Sequence, residues 1–226
     1  RSLNFECHSK LRLGISAKSA TLSSMTFFKN AGDRVKTKIC GITTAEQAHA
    51  ITELGADALG FNFYAKSKRY LLPDTEATSW MRELAGNITR IGVFVNPTRD
   101  EIEKSFAAEI IDYAQLHGTE SPEFLAELSA AGFPVFKALG VKSRETLELA
   151  EGFSKGAENA ILLDAYAPVE FGGTGETMDL TLGHDAVEKW PEQRVILAGG
   201  RVAENVADAI AQVRPFPVDT ASRLES

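Results

Sequence analysis

Eight apolar runs alternate with seven helix-like segments along most of this chain, and no other feature constrains its fold as strongly. The apolar runs are rich in β-branched residues and cover 35–40, 57–63, 90–95, 110–116, 133–138, 159–164, 194–198 and 216–220. Apolar residues at helical spacing lie between them, over 44–54, 74–85, 98–107, 121–131, 143–151, 181–190 and 203–213. Such alternation is typical of a parallel sheet covered by helices. Eight strands in one domain favour a closed (β/α)8 TIM barrel of the α/β class over an open sheet.

The two ends of the sequence depart from this repeat. We expect residues 1–34 to be an N-terminal extension of unknown role, either non-native or upstream sequence. A short helix over 21–31, with Phe27 and Phe28, is expected beside strands 8 and 1. Residues 35–226 are predicted to form a single barrel domain. Since no helical pattern follows the eighth strand, we expect this barrel to be C-terminally truncated and the chain to be a fragment.

Composition excludes several classes of function. The chain has 24 basic and 31 acidic residues and a net charge of −7, with no basic stripe, so no nucleic-acid partner is expected. No apolar run approaches the length of a membrane span, and no membrane partner is expected. The two cysteines, Cys7 and Cys40, lie in unrelated contexts, which favours reduced thiols and a cytoplasmic location.

A cysteine and an aspartate end two well-separated apolar runs. Cys40 follows Lys38-Ile39, and Asp164 follows Leu162-Leu163. Because the ends of parallel strands gather at one face of a barrel, a thiolate and a carboxylic acid there could act as general base and general acid. Cys40 could instead be a small buried apolar residue, and Asp164 a helix or loop cap.

Other polar residues are predicted at the same face. Arg69, in the loop after strand 2, could bind a carboxylate through both of its terminal nitrogens, whereas Lys66 and Lys68 are expected to be solvated. Gln115 and His117 end strand 4. No second metal-binding residue lies at suitable spacing from His117, so no metal is expected.

Glycine-rich turns follow strands 6 and 7. Gly173 and Gly175 follow strand 6, Gly199 and Gly200 follow strand 7, and strand 8 ends in the phrase Asp219-Thr220-Ala221-Ser222. Loops after strands 7 and 8 are where barrels commonly bind phosphate through backbone amides and a helix N-terminus. The sequence therefore predicts a phosphate site, without the lysine of a nucleotide P-loop.

Seven ordered phrases make the chain resemble the phosphoribosylanthranilate isomerase family of tryptophan biosynthesis. They are residues 38–43 (KICGIT), 55–70 (GADALGFNFYAKSKRY), 92–96 (GVFVN), 115–118 (QLHG), 162–164 with 172–175 (LLD and GGTG), 197–200 (LAGG) and 214–219 (RPFPVD). The resemblance implies that this is an isomerase, with Cys40 as general base and Asp164 as general acid. It also implies that Arg69 binds the anthranilate carboxylate.

The remaining roles follow from the same resemblance. Gly173, Gly175, Gly199, Gly200 and Ser222 would surround the ribose phosphate, Asp219 would lie close to the sugar, and Gln115 and His117 would line the pocket. The implied reaction is the Amadori rearrangement of N-(5-phosphoribosyl)anthranilate to 1-(2-carboxyphenylamino)-1-deoxyribulose 5-phosphate. It needs no cofactor, because the anthranilate nitrogen is the electron sink, and its only implied partner is this phosphosugar-anthranilate substrate. The family contains monomers and homodimers.

One position departs from the family pattern, and other interpretations stay open. Arg223 stands where the family usually has glycine after the serine of the strand-8 phrase, so the phosphate loop could shift. Indole-glycerol-phosphate synthase would need catalytic lysines at strand ends, and the histidine-pathway isomerase an aspartate where Cys40 stands. A non-catalytic phosphate-binding remnant, or a fragment of a bifunctional tryptophan-pathway enzyme, is the alternative.

Overall fold

Eight parallel strands close into a barrel in sequence order. The structure is a computed structural model that describes residues 27–28, 34–73, 75–153, 159–165 and 178–221. The strands are β1 (Lys36–Cys40), β2 (Ala58–Asn62), β3 (Thr89–Phe94), β4 (Tyr113–Leu116), β5 (Val135–Val141), β6 (Ala160–Ala165), β7 (Arg194–Leu197) and β8 (Pro217–Thr220). Each pairs with the next, and β8 pairs with β1. The predicted (β/α)8 barrel is confirmed.

All seven predicted helical segments are helical, but the second is not an α-helix. The α-helices are α1 (Ala45–Glu53), α2 (Arg99–Ala107), α3 (Pro122–Ala130), α4 (Arg144–Ala150), α5 (Leu180–Lys189) and α6 (Ala203–Val213). The second segment is a 3₁₀ helix over Glu76–Leu84, and a short 3₁₀ turn over Glu151–Phe153 follows α4. Side-chain caps begin several helices: Thr98 accepts from the backbone amide of Glu101, and Ser121 from that of Phe124.

The apolar core has two layers, which the strands separate. The larger layer lies between the strands and the helices and includes Leu59, Phe61, Ile102 and Leu163. The smaller layer fills the barrel interior with Ala58, Ile91, Tyr113, Phe136, Ala138, Ala160, Leu162, Ile196 and Ala198. Since successive residues of a strand point to opposite faces, this inner set fixes which other side chains enter the barrel.

Two phenylalanines that precede β1 belong to the inner layer. Phe27 and Phe28 are buried in a turn, and the Phe28 ring lies edge-on to Tyr113 and Phe136, with centroid distances of 5.0 and 5.5 Å. Lys36, the first residue of β1, donates to the Phe27 carbonyl at 3.1 Å. The pair therefore closes the N-terminal end of the barrel. The predicted position beside the outer gap between strands 8 and 1 is wrong for these two residues.

The remaining expectations about the ends fall on residues whose structure is not described. These are residues 1–26, 29–33 and 222–226, which include most of the helix expected over 21–31 and the segment after the eighth strand. In the described ranges, no helix is both long and apolar enough to cross a membrane.

Candidate active site

Five predicted site residues lie on or directly after strands at the C-terminal end of the barrel. Gln115 and Asp164 each follow an inner-layer residue, Tyr113 and Leu162, by two positions, so their side chains also face the interior. Cys40 is the last residue of β1, Asp219 lies on β8, and His117 comes directly after β4. The fold brings these side chains to one end of the barrel.

A glycine on the neighbouring strand makes room for the Cys40 thiol. Cys40 pairs with Gly60 of β2, and a Cβ at Gly60 would lie 2.6 Å from the Cys40 Sγ. Cys40 is partly exposed and is a free cysteine in the part of the chain that the structure describes. The thiol therefore lies against the backbone of β2, in a position that a side chain on Gly60 would not allow.

The carboxylate of Asp164 is held by the backbone and by a histidine. Its Oδ1 accepts from the Ala165 amide at 2.8 Å, and its Oδ2 lies 3.4 Å from Nε2 of His117. Gly199, with φ of 77°, approaches so closely that a Cβ there would lie 2.6 Å from the Ala165 nitrogen and 3.2 Å from Oδ1. The glycine after β7 is thus needed beside the carboxylate.

Gln115, His117 and Asp164 form a hydrogen-bonded chain with two possible proton arrangements. The Gln115 Nε2 lies 3.2 Å from the His117 Nδ1, and the Gln115 Oε1 is buried with no hydrogen-bond partner among the described residues. In this orientation the Gln115 amide donates to the His117 Nδ1. The His117 Nε2 then carries the ring proton and donates to an ionised Asp164. If the Gln115 amide is rotated by a half-turn, its Oε1 accepts from the Nδ1–H of His117. The His117 Nε2 then accepts from a protonated Asp164.

Sequence reasoning missed Lys38, which lies in the same interior. Its Nζ is fully buried and forms an ion pair with Oδ2 of Asp219 at 2.8 Å. Burial lowers the pKa of Lys38, but the charges of Asp219 and Cys40 outweigh it and raise that pKa above its usual value. The signal was present in the sequence: Lys38 precedes Cys40 by two residues on one strand, so both side chains point inward.

Arg69 lies over the loop that follows β1. Its side chain passes against Gly41, whose φ is 89°, so a Cβ at that glycine would overlap the Arg69 Cδ. Arg69 is partly buried, and the neighbouring Lys66 and Lys68 are exposed, as the sequence predicted. A guanidinium is therefore placed near Cys40, whereas the two lysines face solvent.

The loop after β7 has the features of an anion site. Gly199 and Gly200 both have positive φ, 77° and 65°, and α6 begins three residues after Gly200. Arg201, which sequence reasoning did not single out, is buried, and its Nε donates to the Gly199 carbonyl at 2.9 Å. Gly173, Gly175, Ser222 and Arg223 lie outside the described residues. In the part of the chain that is described, no cluster of three metal-binding side chains occurs.

Comparison with known proteins agrees with this geometry. A family model described as N-(5′-phosphoribosyl)anthranilate (PRA) isomerase matches residues 37–226. The chain belongs to this isomerase family.

Individual members of the isomerase family cover most of the chain. An N-(5′-phosphoribosyl)anthranilate isomerase of Pseudomonas putida is 44% identical over 191 residues, which are 84% of this chain and 88% of the relative. The structure of a phosphoribosyl anthranilate isomerase in complex with reduced 1-(o-carboxyphenylamino)-1-deoxyribulose 5-phosphate is 36% identical. It superposes with a TM-score of 0.71 and covers 85% of this chain and 89% of its own.

A further structure in the isomerase family shows monomers generated from the dimeric enzyme of Thermotoga maritima. It is 35% identical to this chain, with a TM-score of 0.68, and covers 83% of this chain and 87% of its own. The match to the family model begins at residue 37, inside β1. It therefore includes Lys38, Cys40, Asp164 and Asp219 but not Phe27 or Phe28.

Proposed function

We propose that this chain converts N-(5-phosphoribosyl)anthranilate to 1-(2-carboxyphenylamino)-1-deoxyribulose 5-phosphate by acid–base catalysis. The observation that carries the proposal is the placement of Cys40 and Asp164 at one end of the barrel interior. Burial is the main cause that raises the pKa of Cys40, and the negative charge of Asp164 adds to it. Membership of the isomerase family supplies the substrate.

The two groups divide the reaction between them. Asp164, in its protonated form, donates its proton to the ring oxygen of the ribose, and the C1–O bond breaks to leave an iminium stabilised by the anthranilate nitrogen. Cys40, as a thiolate, then removes the proton from C2, and the electron pair of that C–H bond neutralises the iminium to give an enolamine. Tautomerisation of the enolamine gives the aminoketone product. No atom is exchanged with a cofactor, and no electron acceptor is needed.

The chain of Gln115 and His117 supports the first step. In the second proton arrangement Asp164 donates to the Nε2 of His117, so this is the arrangement in which Asp164 carries the proton that it gives to the ring oxygen. With the proton on Asp164, the Nδ1–H of His117 needs an acceptor. The Oε1 of Gln115 would be that acceptor once the Gln115 amide is rotated by a half-turn. Both residues would also line the substrate pocket, as the family resemblance implies.

The substrate would bind across the open end of the barrel. We assign the anthranilate carboxylate to Arg69, whose planar guanidinium matches a carboxylate. The phosphate is assigned to the loops of Gly199 and Gly200, together with Gly173, Gly175 and Ser222. The Oδ1 of Asp219 is buried without a partner and could accept from a ribose hydroxyl. A monomer or homodimer, and a cytoplasmic location, stay predictions.

The test follows the fluorescence of the anthranilate group, which decays as the substrate is consumed. Substrate is generated in place from anthranilate and phosphoribosyl pyrophosphate, and the unmodified chain is compared with Cys40→Ser and Asp164→Asn. Loss of either group should lower kcat by at least about 10²-fold, since acid or base groups contribute about 10²–10⁴ each. Cys7→Ser is the matched control and should keep full activity. A folded but inert unmodified chain would sink the proposal and favour the non-catalytic remnant.

A further inference from the structure

We propose that Lys38 is a positioning residue that favours the thiolate form of Cys40, with Asp219 fixing the ammonium group below the thiol. This inference rests on the proposed function, because it explains how the thiol becomes a base. Neither the sequence motifs nor the family match assigns a role to Lys38.

The strand geometry places the ammonium group next to the thiol. Lys38 and Cys40 lie two residues apart on β1, so both side chains enter the barrel on the same side. In the register of β1 and β8, Lys38 is directly opposite Asp219, and the Nζ to Oδ2 distance is 2.8 Å. The ammonium group therefore contacts the Asp219 carboxylate and lies on the same inner face of β1 as the Cys40 thiol, two residues before it.

Stability alone does not explain this ion pair. Two charges buried in a barrel interior lose their hydration, and replacing such a pair by apolar side chains is often neutral or stabilising. The neighbouring interior positions are apolar, for example Leu162 and Ile196. Asp219 also leaves its Oδ1 buried without a partner, so the pair is not a fully satisfied structural bridge. A costly pair beside a reactive thiol points to a function.

The groups around Cys40 oppose one another: burial and two nearby carboxylates hold the pKa of the Cys40 thiol above its usual value, and Lys38 is the cation in the barrel wall that acts against them. Burial raises the pKa of the Cys40 thiol, and the negative charges of Asp219 on β8 and Asp164 on β6 raise it further. The positive charge of Lys38 on β1 lowers the pKa of Cys40. His117 after β4, Arg69 after β2 and Arg201 after β7 are further titratable groups at this end of the barrel.

The expected effect on pH dependence has a definite sign. Cys40 acts as a base only when it is deprotonated, so activity falls as the pH drops below the pKa of Cys40. Removing Lys38 takes away the group that lowers this pKa. The acid limb of the profile of kcat/KM against pH should therefore move to higher pH.

The test measures ionisation of the thiol without substrate, in a Cys7→Ser background so that Cys40 is the only cysteine. The ultraviolet absorbance of the thiolate is recorded against pH for the parent and for Lys38→Met. The midpoint should rise by about 1–3 pH units, the usual size of the effect of one neighbouring opposite charge. The matched control is Lys137→Met, which removes another buried, paired lysine on β5 and should leave the midpoint unchanged. An unchanged midpoint in Lys38→Met overturns the inference.

A second variant covers the possibility that Lys38→Met does not fold and tests whether Lys38 merely neutralises Asp219. Lys38→Gln/Asp219→Asn replaces the ion pair by an amide pair of similar size. Because Asp219→Asn alone removes a charge that raises the pKa of Cys40, the double variant is compared with Asp219→Asn rather than with the parent. If Lys38 acts on the thiol, the midpoint of the double variant lies above that of Asp219→Asn. Equal midpoints in these two variants show that Lys38 serves only Asp219, which also overturns the inference. Activity is measured separately: a parent that ionises as expected but does not isomerise the substrate refutes the proposed function and leaves the role of Lys38 standing.

Discussion

At the scale of single residues, the space around Cys40 is set by Gly60. A Cβ at that position would lie 2.6 Å from the sulfur and 3.0 Å from the Cys40 Cα, so Gly60→Ala must displace either the thiol or the strand. We expect kcat to fall by at least about tenfold, because a displacement of about 1 Å in a reacting group can cost about 10² in rate. Stopped-flow or steady-state kinetics, together with the rate of Cys40 alkylation, would measure the effect.

Gly92→Ala is the matched control for this substitution. A Cβ at Gly92 would lie 2.8 Å from the Phe94 ring, so the crowding is similar, but it falls in the outer apolar layer of β3. Both variants should lose stability by about 1–3 kcal/mol, the usual cost of overpacking. Only Gly60→Ala should change the reactivity of Cys40. Equal alkylation rates in Gly60→Ala and the unmodified chain would refute the role of Gly60.

The site residues show how far sequence reasoning reaches at this scale. Cys40, Gln115 and Asp164 were predicted at strand ends, and the structure places all three at one end of the barrel. Lys38 was missed, because a lysine within an apolar strand gives no hint of its partner, which lies 181 positions away on β8. Gly60 was not singled out either, since only the parallel register shows which residue it faces.

At the scale of elements, a buried ion pair joins the loops after β3 and β4 to β5. Glu120 accepts from the Asn96 amide at 2.7 Å, from the Gly118 amide and from the Lys137 Nζ at 2.7 Å. Lys137 also donates to the Leu116 and Gly118 carbonyls. The hydrogen bonds of the Glu120 carboxylate therefore fix the loop after β4, which carries His117.

Glu120→Ala should destabilise the chain strongly, because it leaves Lys137 buried without its counter-charge. Breaking a buried pair in this way typically costs about 3–5 kcal/mol. Burial lowers the pKa of Lys137 and Glu120 opposes this, so the variant lowers that pKa further. In the variant, Lys137 binds a proton in the unfolded chain over a pH range where it does not in the folded chain. The loss of unfolding free energy caused by Glu120→Ala should therefore diminish as the pH rises toward the usual lysine pKa.

Urea unfolding at neutral pH and at about pH 9 would test both the size and the sign of this effect. Arg99→Ala is the control, because Arg99 forms ion pairs with Glu103 and Glu127 on the exposed faces of the helices. It should change stability little at either pH. A Glu120→Ala penalty that is small, or that grows with pH, would contradict the argument.

The helical elements show a second limit of sequence reasoning. The pattern over 74–85 was interpreted as an α-helix, but the chain forms a 3₁₀ helix over Glu76–Leu84. Its buried residues are Thr78, Met81 and Leu84, which are spaced by three, the repeat of a 3₁₀ helix. Over nine residues a period of 3.0 differs too little from 3.6 to be separated without knowing which residues are buried. The strands were easier, because their apolar runs are continuous.

At the scale of the whole molecule, the two ends of the barrel have separate tasks. The C-terminal end carries Cys40, Asp164 and the glycine loop after β7, whereas Phe27 and Phe28 close the N-terminal end. In a barrel of this kind, residues at the C-terminal end can change the chemistry while residues at the N-terminal end maintain stability. The sequence could not show that the two phenylalanines enter the barrel, since they lie outside the strand–helix repeat.

Phe28→Ala should therefore lower stability without affecting catalysis. Phe28 is fully buried, and removing a buried phenylalanine typically costs about 3–5 kcal/mol. We expect a lower melting temperature and urea midpoint, with kcat and KM unchanged within about twofold when measured well below the melting transition. Leu54→Ala is the control, because Leu54 is 87% exposed and its loss should leave the midpoint unchanged. If Phe28→Ala unfolds at the same urea concentration as the unmodified chain, the ring does not close the barrel in solution. If it retains stability but loses activity, the two ends are not independent, and the separation of stability from chemistry fails.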